Sequence, residues 1–140
     1  MTDDLILDTS PLIFLSRVDL LHLLPKLAGR LRIPASVIRE VRADEATDPE
    51  AMVVAAWAED FLVADVEVLA SVAAWELGVG ETQVIAIACA SGAREVALDD
   101  LAGRRCAPAH GLRVVGTLGL LLRAKKSGLF PRFVQFFSTC

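Results

Sequence analysis

Five carboxylates stand where a folded chain could put them to chemical use. Asp8 closes the apolar run of "LILDTSPLI" (5–13), and Asp99 and Asp100 close a similar run in "REVALDD" (94–100). Glu40 lies in "PASVIREVRA" on the side opposite Val37, Ile38 and Val41, and Glu81 follows "GVG" in "VGETQVIAIACASG". Short runs that are apolar on both faces suit interior strands of a parallel sheet. In open α/β sheets the carboxyl edge of such strands is where ligands bind. If the first and fourth strands are neighbours, Asp8 and Asp99/Asp100 converge there, and Glu40 and Glu81 could complete a cluster. Clustered carboxylates repel one another in a low dielectric and call for a cation. Hard oxygen ligands suit Mg²⁺ or Mn²⁺. Such ions can bind a phosphodiester, activate water and stabilise a leaving oxygen. Taken singly, each acid also has a plainer account. Asp8, Asp99 and Asp100 could cap helices, Glu81 could offset a helix dipole, and Glu40 could sit on a solvated face.

The elements that must position these acids alternate along the chain. After the strand ending at Leu7, Thr9 or Ser10 is expected to cap a helix with Pro11 at its first position. The helical region then runs from Leu12 to Leu27, with a break near Pro25 to Gly29. "RLRIP" (30–34) is a second strand, and 34–43 is an amphipathic helix. "TDPEAMVVAAWAEDF" opens as a helix capped by Asp48 with Pro49 next. "FLVADVEV" is a weak strand, 79–92 is an apolar helix closed by Gly92, and 94–100 is a buried strand ending in acids. A polar helix follows, in which Pro108 should bend or end the path. "LRVVG" (112–116) is the last strand, and "TLGLLLRAKKSG" (117–128) is a helix with basic residues in its final turn. Alternating strands and helices imply an α/β fold with a mainly parallel sheet.

Composition narrows the class. A chain of 140 residues reads as one domain, 1–140. Its mean hydropathy of +0.52 is high, yet the apolar residues fall in many short segments. None approaches the ~18 needed to span a bilayer. The opening Met1-Thr2-Asp3-Asp4 is acidic where a signal peptide would be basic. Cys89, Cys106 and Cys140 show no metal-ligand spacing, so a reducing cytoplasm is expected. Residues 1–100 hold all 18 acids against 7 Lys and Arg, a balance of −11, whereas 101–140 hold 7 bases and no acid. That asymmetry fits a polyanion-binding surface beside an acidic site. Arg104, Arg105, Arg123, Lys125, Lys126 and Arg132 are the candidate phosphate contacts. Phe130, Phe133 and Phe136/Phe137 form a stripe that either packs on its own core or offers a dimer or antitoxin-binding face. "GVGETQ" is not a dinucleotide fingerprint, because Gln83 takes the third glycine place, and there is no P-loop lysine.

"LILDTSPLIFL", "IPASVIREV", "LGVGETQVIAIA", "LDDLAGRR" and "GLRVVGTLGLLLRAKKSGLF" come in the order seen in PIN-domain proteins. The chain resembles that family from residue 5 to about 131, most of all the branch with a Gly-Thr-Leu-Gly helix near its end, akin to VapC-type toxins. The resemblance implies a three-layer α/β/α sandwich and a Mg²⁺- or Mn²⁺-dependent ribonuclease. It puts the family's acids on Asp8, Glu40, Glu81 and one of Asp99 or Asp100. It puts a hydroxyl beside the first acid, Thr9 or Ser10, and an arginine at Arg104. RNA is the implied substrate, and an antitoxin protein and a second copy of the chain are the expected partners. The alternative is a PIN-like module that binds nucleic acid or protein without cutting.

Overall fold

The computed structural model describes residues 4–130. Arg132, Phe133, Phe136, Phe137 and Cys140 lie outside the described residues, and with them most of the aromatic stripe. β1 (Leu5–Leu7), β2 (Leu31–Pro34), β3 (Leu62–Val63), β4 (Glu95–Ala97) and β5 (Arg113–Val115) pair in the order β3-β2-β1-β4-β5. Every pairing is parallel. The order reverses at β1, so the crevice between β1 and β4 is the topological switch point. Leu5, Ile6 and Leu7 are completely buried, as a strand covered on both faces requires, each contributing roughly 2 kcal/mol by leaving water.

Helices cover both faces, giving an α/β/α sandwich. α1 (Thr9–Arg17) packs on α2 (Ala35–Arg42), α3 (Pro49–Ala58) and, further along the chain, α7 (Thr117–Lys126). α5 (Val79–Ser91) crosses β1, β2 and β4 and touches α6 (Leu101–Ala109) and the short α4 (Ala70–Ala73). α5 is apolar nearly all round, with residues 83–88 buried, which marks a helix enclosed by its neighbours. It stops at Gly92, whose φ of 73° only glycine adopts without strain. Asp48 caps α3 by accepting from the Glu50 N–H at 3.0 Å, with Pro49 in the first turn. α6 ends one residue after Pro108. No helix among the described residues is long and apolar enough to cross a membrane.

The first helix departs from what the sequence predicts. It begins at Thr9, with Asp8 in the capping position and Pro11 inside the first turn, where N–H groups have no helical partner to lose. It breaks at Val18–Leu20, well before Pro25, because Asp19 adopts a left-handed φ of 59°. The remainder, Leu21–Lys26, is a 3₁₀ helix that accommodates Pro25.

Candidate active site

Asp8 leaves β1 still tied to the sheet, its N–H donating to the Ala97 carbonyl at 3.1 Å. Although it stands in the capping position of α1, its carboxylate makes no capping hydrogen bond. The residue is 6% exposed, and its Oδ1 is buried without a hydrogen-bond partner. Burial, followed by the charges of Glu40, Asp99 and Asp100, pushes its pKa up to about 6 against one opposing hydrogen bond at Thr9. Glu81, in the first turn of α5, repeats the pattern. Its Oε2 is also buried and partnerless. Burial, the charges of Asp8 and Asp100, a hydrogen bond shared with Asp100 and the charge of Glu40 raise it to about 7.

Glycines make the room these groups occupy. A Cβ at Gly80 would lie 3.0 Å from Glu40 Oε2 and 3.3 Å from Asp8 Oδ1, so both carboxylates crowd the same turn of α5. A Cβ at Gly103 would lie 3.0 Å from Glu81 Oε2. Glu40 is held from the other side by the Thr9 hydroxyl, which donates to its Oε2 at 3.1 Å.

The doublet divides by partner. Asp99 receives the Thr117 N–H on Oδ1 at 2.8 Å and the Thr117 hydroxyl on Oδ2. It thereby supplies α7 with the cap that Gly116 lacks. Asp100 caps α6, its Oδ2 accepting from the Ala102 and Gly103 N–H groups, while the carboxyl group as a whole stays close enough to Glu81 to share a hydrogen bond. Arg104 donates from Nη1 to the Leu98 carbonyl at 3.1 Å. A Cβ at Gly116 would fall 2.5 Å from that Nη1 and 3.0 Å from Asp99 Oδ1, so the guanidinium and the carboxylate both border this glycine.

The family model for the PIN domain (DUF3368) matches residues 4–139. This chain belongs to the PIN-domain family. A solved structure of similar fold is PAE2754 from Pyrobaculum aerophilum, 16% identical, with a TM-score of 0.56 over 90% of this chain and 99% of that one. No curated protein matches the chain.

In this PIN domain the five acids and Thr9 gather at the carboxyl edge of β1 and β4, with Arg104 at the border. Ser10 lies on a neighbouring cavity wall with Asp99 and Thr117. Arg105 is exposed one position further along α6. Lys125 and Lys126 are not brought to the acids. They occupy the last turn of α7, about 12 Å along the helix from Thr117 at 1.5 Å per residue. Arg123 is engaged elsewhere, bidentate with Glu95. Sequence reasoning does not single out Thr117, Gly80, Gly103 or Gly116. The signal for Thr117 is its place straight after a strand-ending glycine, at the start of a helix with no acid of its own.

The donor set is all oxygen, as Mg²⁺ or Mn²⁺ would need. Asp8 and Glu81 each present a buried oxygen that a cation would satisfy, and Glu40 and Asp100 are the adjoining acids. Among the described residues, no three His, Cys, Asp or Glu side chains are already closed around a common point as a metal cage.

Proposed function

We propose that this PIN domain, a member of a nuclease family, is a metal-dependent endoribonuclease and the toxin half of a toxin–antitoxin pair, acting in the cytoplasm. The observation that carries the metal-dependent reading is the pair of buried, partnerless carboxylate oxygens, on Asp8 and Glu81, at the switch point of the sheet. Two such oxygens in one cluster with three more acids have no use in a resting core, and a hard cation gives them one. Bound Mg²⁺ or Mn²⁺ would polarise a phosphodiester and make water a better nucleophile. Asp8, Glu81, Glu40 and Asp100 would hold it. Thr9 fixes the Glu40 carboxylate. Asp99, committed to Thr117, positions the start of α7 beside the site, and of the doublet Asp100 is the better ligand. Arg104, whose Nη1 donates to the Leu98 carbonyl, would meet a phosphate oxygen. Arg105, Lys125 and Lys126 would contact phosphates further along the RNA. Water attacking phosphorus in line and displacing the 3′ oxygen would leave 5′-phosphate and 3′-hydroxyl ends. The toxin assignment is supported by the resemblance to the branch with a Gly-Thr-Leu-Gly helix, and with it come an antitoxin partner and a homodimer.

The test is cleavage of mixed RNAs in Mn²⁺, in EDTA and by Asp8→Asn. Cutting by the parent protein should need the metal and should fall at least about a hundredfold in the variant, since losing even outer-shell partners of a metal costs 10–100-fold. Equal cutting by parent and variant would remove the metal-site assignment. No cutting by the parent would leave the module that binds without cleaving.

A further inference from the structure

Beside the carboxylates lies a cavity of about 450 Å³ lined by Ser10, Phe14, Asp99, Thr117, Leu118 and Leu121. It opens between α1 and α7, and Asp99 belongs both to its wall and to the acid cluster. Phe14 is 44% exposed and Leu118 61% exposed, an aromatic and an aliphatic side chain left facing water at the mouth. The volume falls within the range of pockets that enclose small organic groups.

We propose that this cavity is the subsite for one unpaired nucleobase of the RNA, the base of a nucleotide next to the cleaved phosphate. The proposal rests on the ribonuclease reading above. Charge and polarity choose the occupant. Among the described residues no cation lines the cavity, and Asp99 stands in its wall, so a phosphate is disfavoured there and belongs on the Arg104 side. A purely aliphatic group would leave the Ser10 hydroxyl and the lone pairs of Thr117, whose own proton goes to Asp99, with nothing to bond in the cavity. A nucleobase meets both demands. Its faces suit the Phe14 ring and the two leucines, and its edge carries donors and acceptors for the polar wall. Thr117 donates its hydroxyl proton to Asp99 and keeps lone pairs to accept from an amine, while Ser10 can donate or accept. Proteins that read single strands combine stacking and edge contacts in this way. A base in this cavity is withdrawn from pairing, so the RNA must be single-stranded where it is cut.

The test uses the full chain with Mn²⁺ and short RNAs cut at one mapped position. Each RNA carries a normal nucleotide, or an abasic one, on either side of that position. The proteins are the parent, Phe14→Ala and Phe14→Trp, each checked for an unchanged melting temperature. Removing one base, on the side that fills the cavity, should slow cleavage by the parent roughly 5- to 100-fold, the range for loss of one base–aromatic stack. Phe14→Ala should slow cleavage of normal RNA by a similar factor and be indifferent to the abasic change, whereas Phe14→Trp should recover the dependence. If the parent cuts normal and abasic RNA alike, the cavity holds something else, such as an apolar side chain of a protein, and the proposal falls while the ribonuclease stands. The proposal also falls if Phe14→Ala loses equally on both RNAs. If the parent cuts neither RNA, the base subsite and the ribonuclease fall together.

Discussion

The two edges of one sheet treat their acids in opposite ways. At the amino edge, Asp4 accepts from Arg30 at 3.2 Å and from Arg32 at 2.9 Å. Glu95, which opens β4, is gripped at both oxygens by Arg123, at 2.9 and 2.7 Å. At the carboxyl edge of the same strands, Asp8 and Glu81 each keep a buried oxygen with no partner. The contrast is sharpest along β1, where Asp4, paired with two arginines, lies four residues ahead of Asp8, whose buried Oδ1 has no partner. This fold is able to supply arginines to buried acids. Leaving a buried acceptor unsatisfied costs about 1–3 kcal/mol, so folding stability gives no reason for the carboxyl edge. A bound cation does.

Substitution at each edge should therefore have opposite consequences. Glu95→Gln strands the Arg123 guanidinium in a part-buried setting and should lower stability by about 3 kcal/mol, a drop of several degrees in melting temperature. Asp8→Asn removes one of several like charges, so in EDTA it should melt at the parent temperature or above it. Millimolar Mn²⁺ should reverse that order. The parent gains about 2.7 kcal/mol at a hundredfold excess over the dissociation constant, and the variant much less. Thermal melts of the three proteins, with EDTA and with Mn²⁺, would decide. Equal destabilisation by both changes, with Mn²⁺ moving all three alike, would erase the distinction between the edges.

Much of this arrangement is legible along the chain, and what is not has a physical cause. The apolar runs identify the strands, Asp48-Pro49-Glu50 announces a helix start, and Gly92 announces a helix end, because each is a local signal. Asp8 and the Asp99-Asp100 doublet stand out because each closes a short apolar run, at the strand end where an open parallel sheet binds its ligands. What separates the doublet is not local. Asp99 differs from Asp100 only because β5 pairs beside β4 and brings the Thr117 N–H and hydroxyl onto it. The early end of α1 is hidden for a different reason. An Asp in the left-handed region is uncommon and leaves the apolar periodicity around it intact. The distance of Lys125 and Lys126 from the acids is hidden as well, because it follows only once Thr117 is known to be the residue that meets Asp99.

The same contrast should appear in pH. Asp8 titrates near 6 and Glu81 near 7 in the fold, against ordinary values of 3.8 and 4.5. Between those limits the folded chain binds more protons than the unfolded one. The metal-free fold therefore loses stability as pH rises from about 4 to about 7, the reverse of the usual carboxylate trend. A metal needs the deprotonated carboxylates, so its protection should grow over the same range. Melting temperatures followed from pH 5 to 8 should fall in EDTA, and the gap opened by Mn²⁺ should widen. Asp8→Asn should flatten the EDTA curve below pH 6. A parent curve that is flat in EDTA would mean that these acids are no worse placed than those at the amino edge.

The smallest change tests whether the spacing of the carboxylates matters as much as their presence. Gly80 lies in the first turns of α5, with Glu40 Oε2 and Asp8 Oδ1 pressed against the place where a Cβ would sit. Gly80→Ala adds a methyl group and no charge. Within a helix the alanine should contribute up to about 1 kcal/mol through backbone propensity, and contacts at 3.0 and 3.3 Å should return part of it as strain. The exposed Glu40 side chain can swing away, whereas the short, buried Asp8 cannot. Melting temperature should thus stay close to the parent value while the two carboxylates are forced apart. Cleavage should fall about tenfold, the loss expected when groups around a metal are misplaced without being removed. Full activity in Gly80→Ala would mean that Asp8 and Glu40 act independently, and the cluster would then have to be rebuilt around Asp8, Glu81 and Asp100 alone.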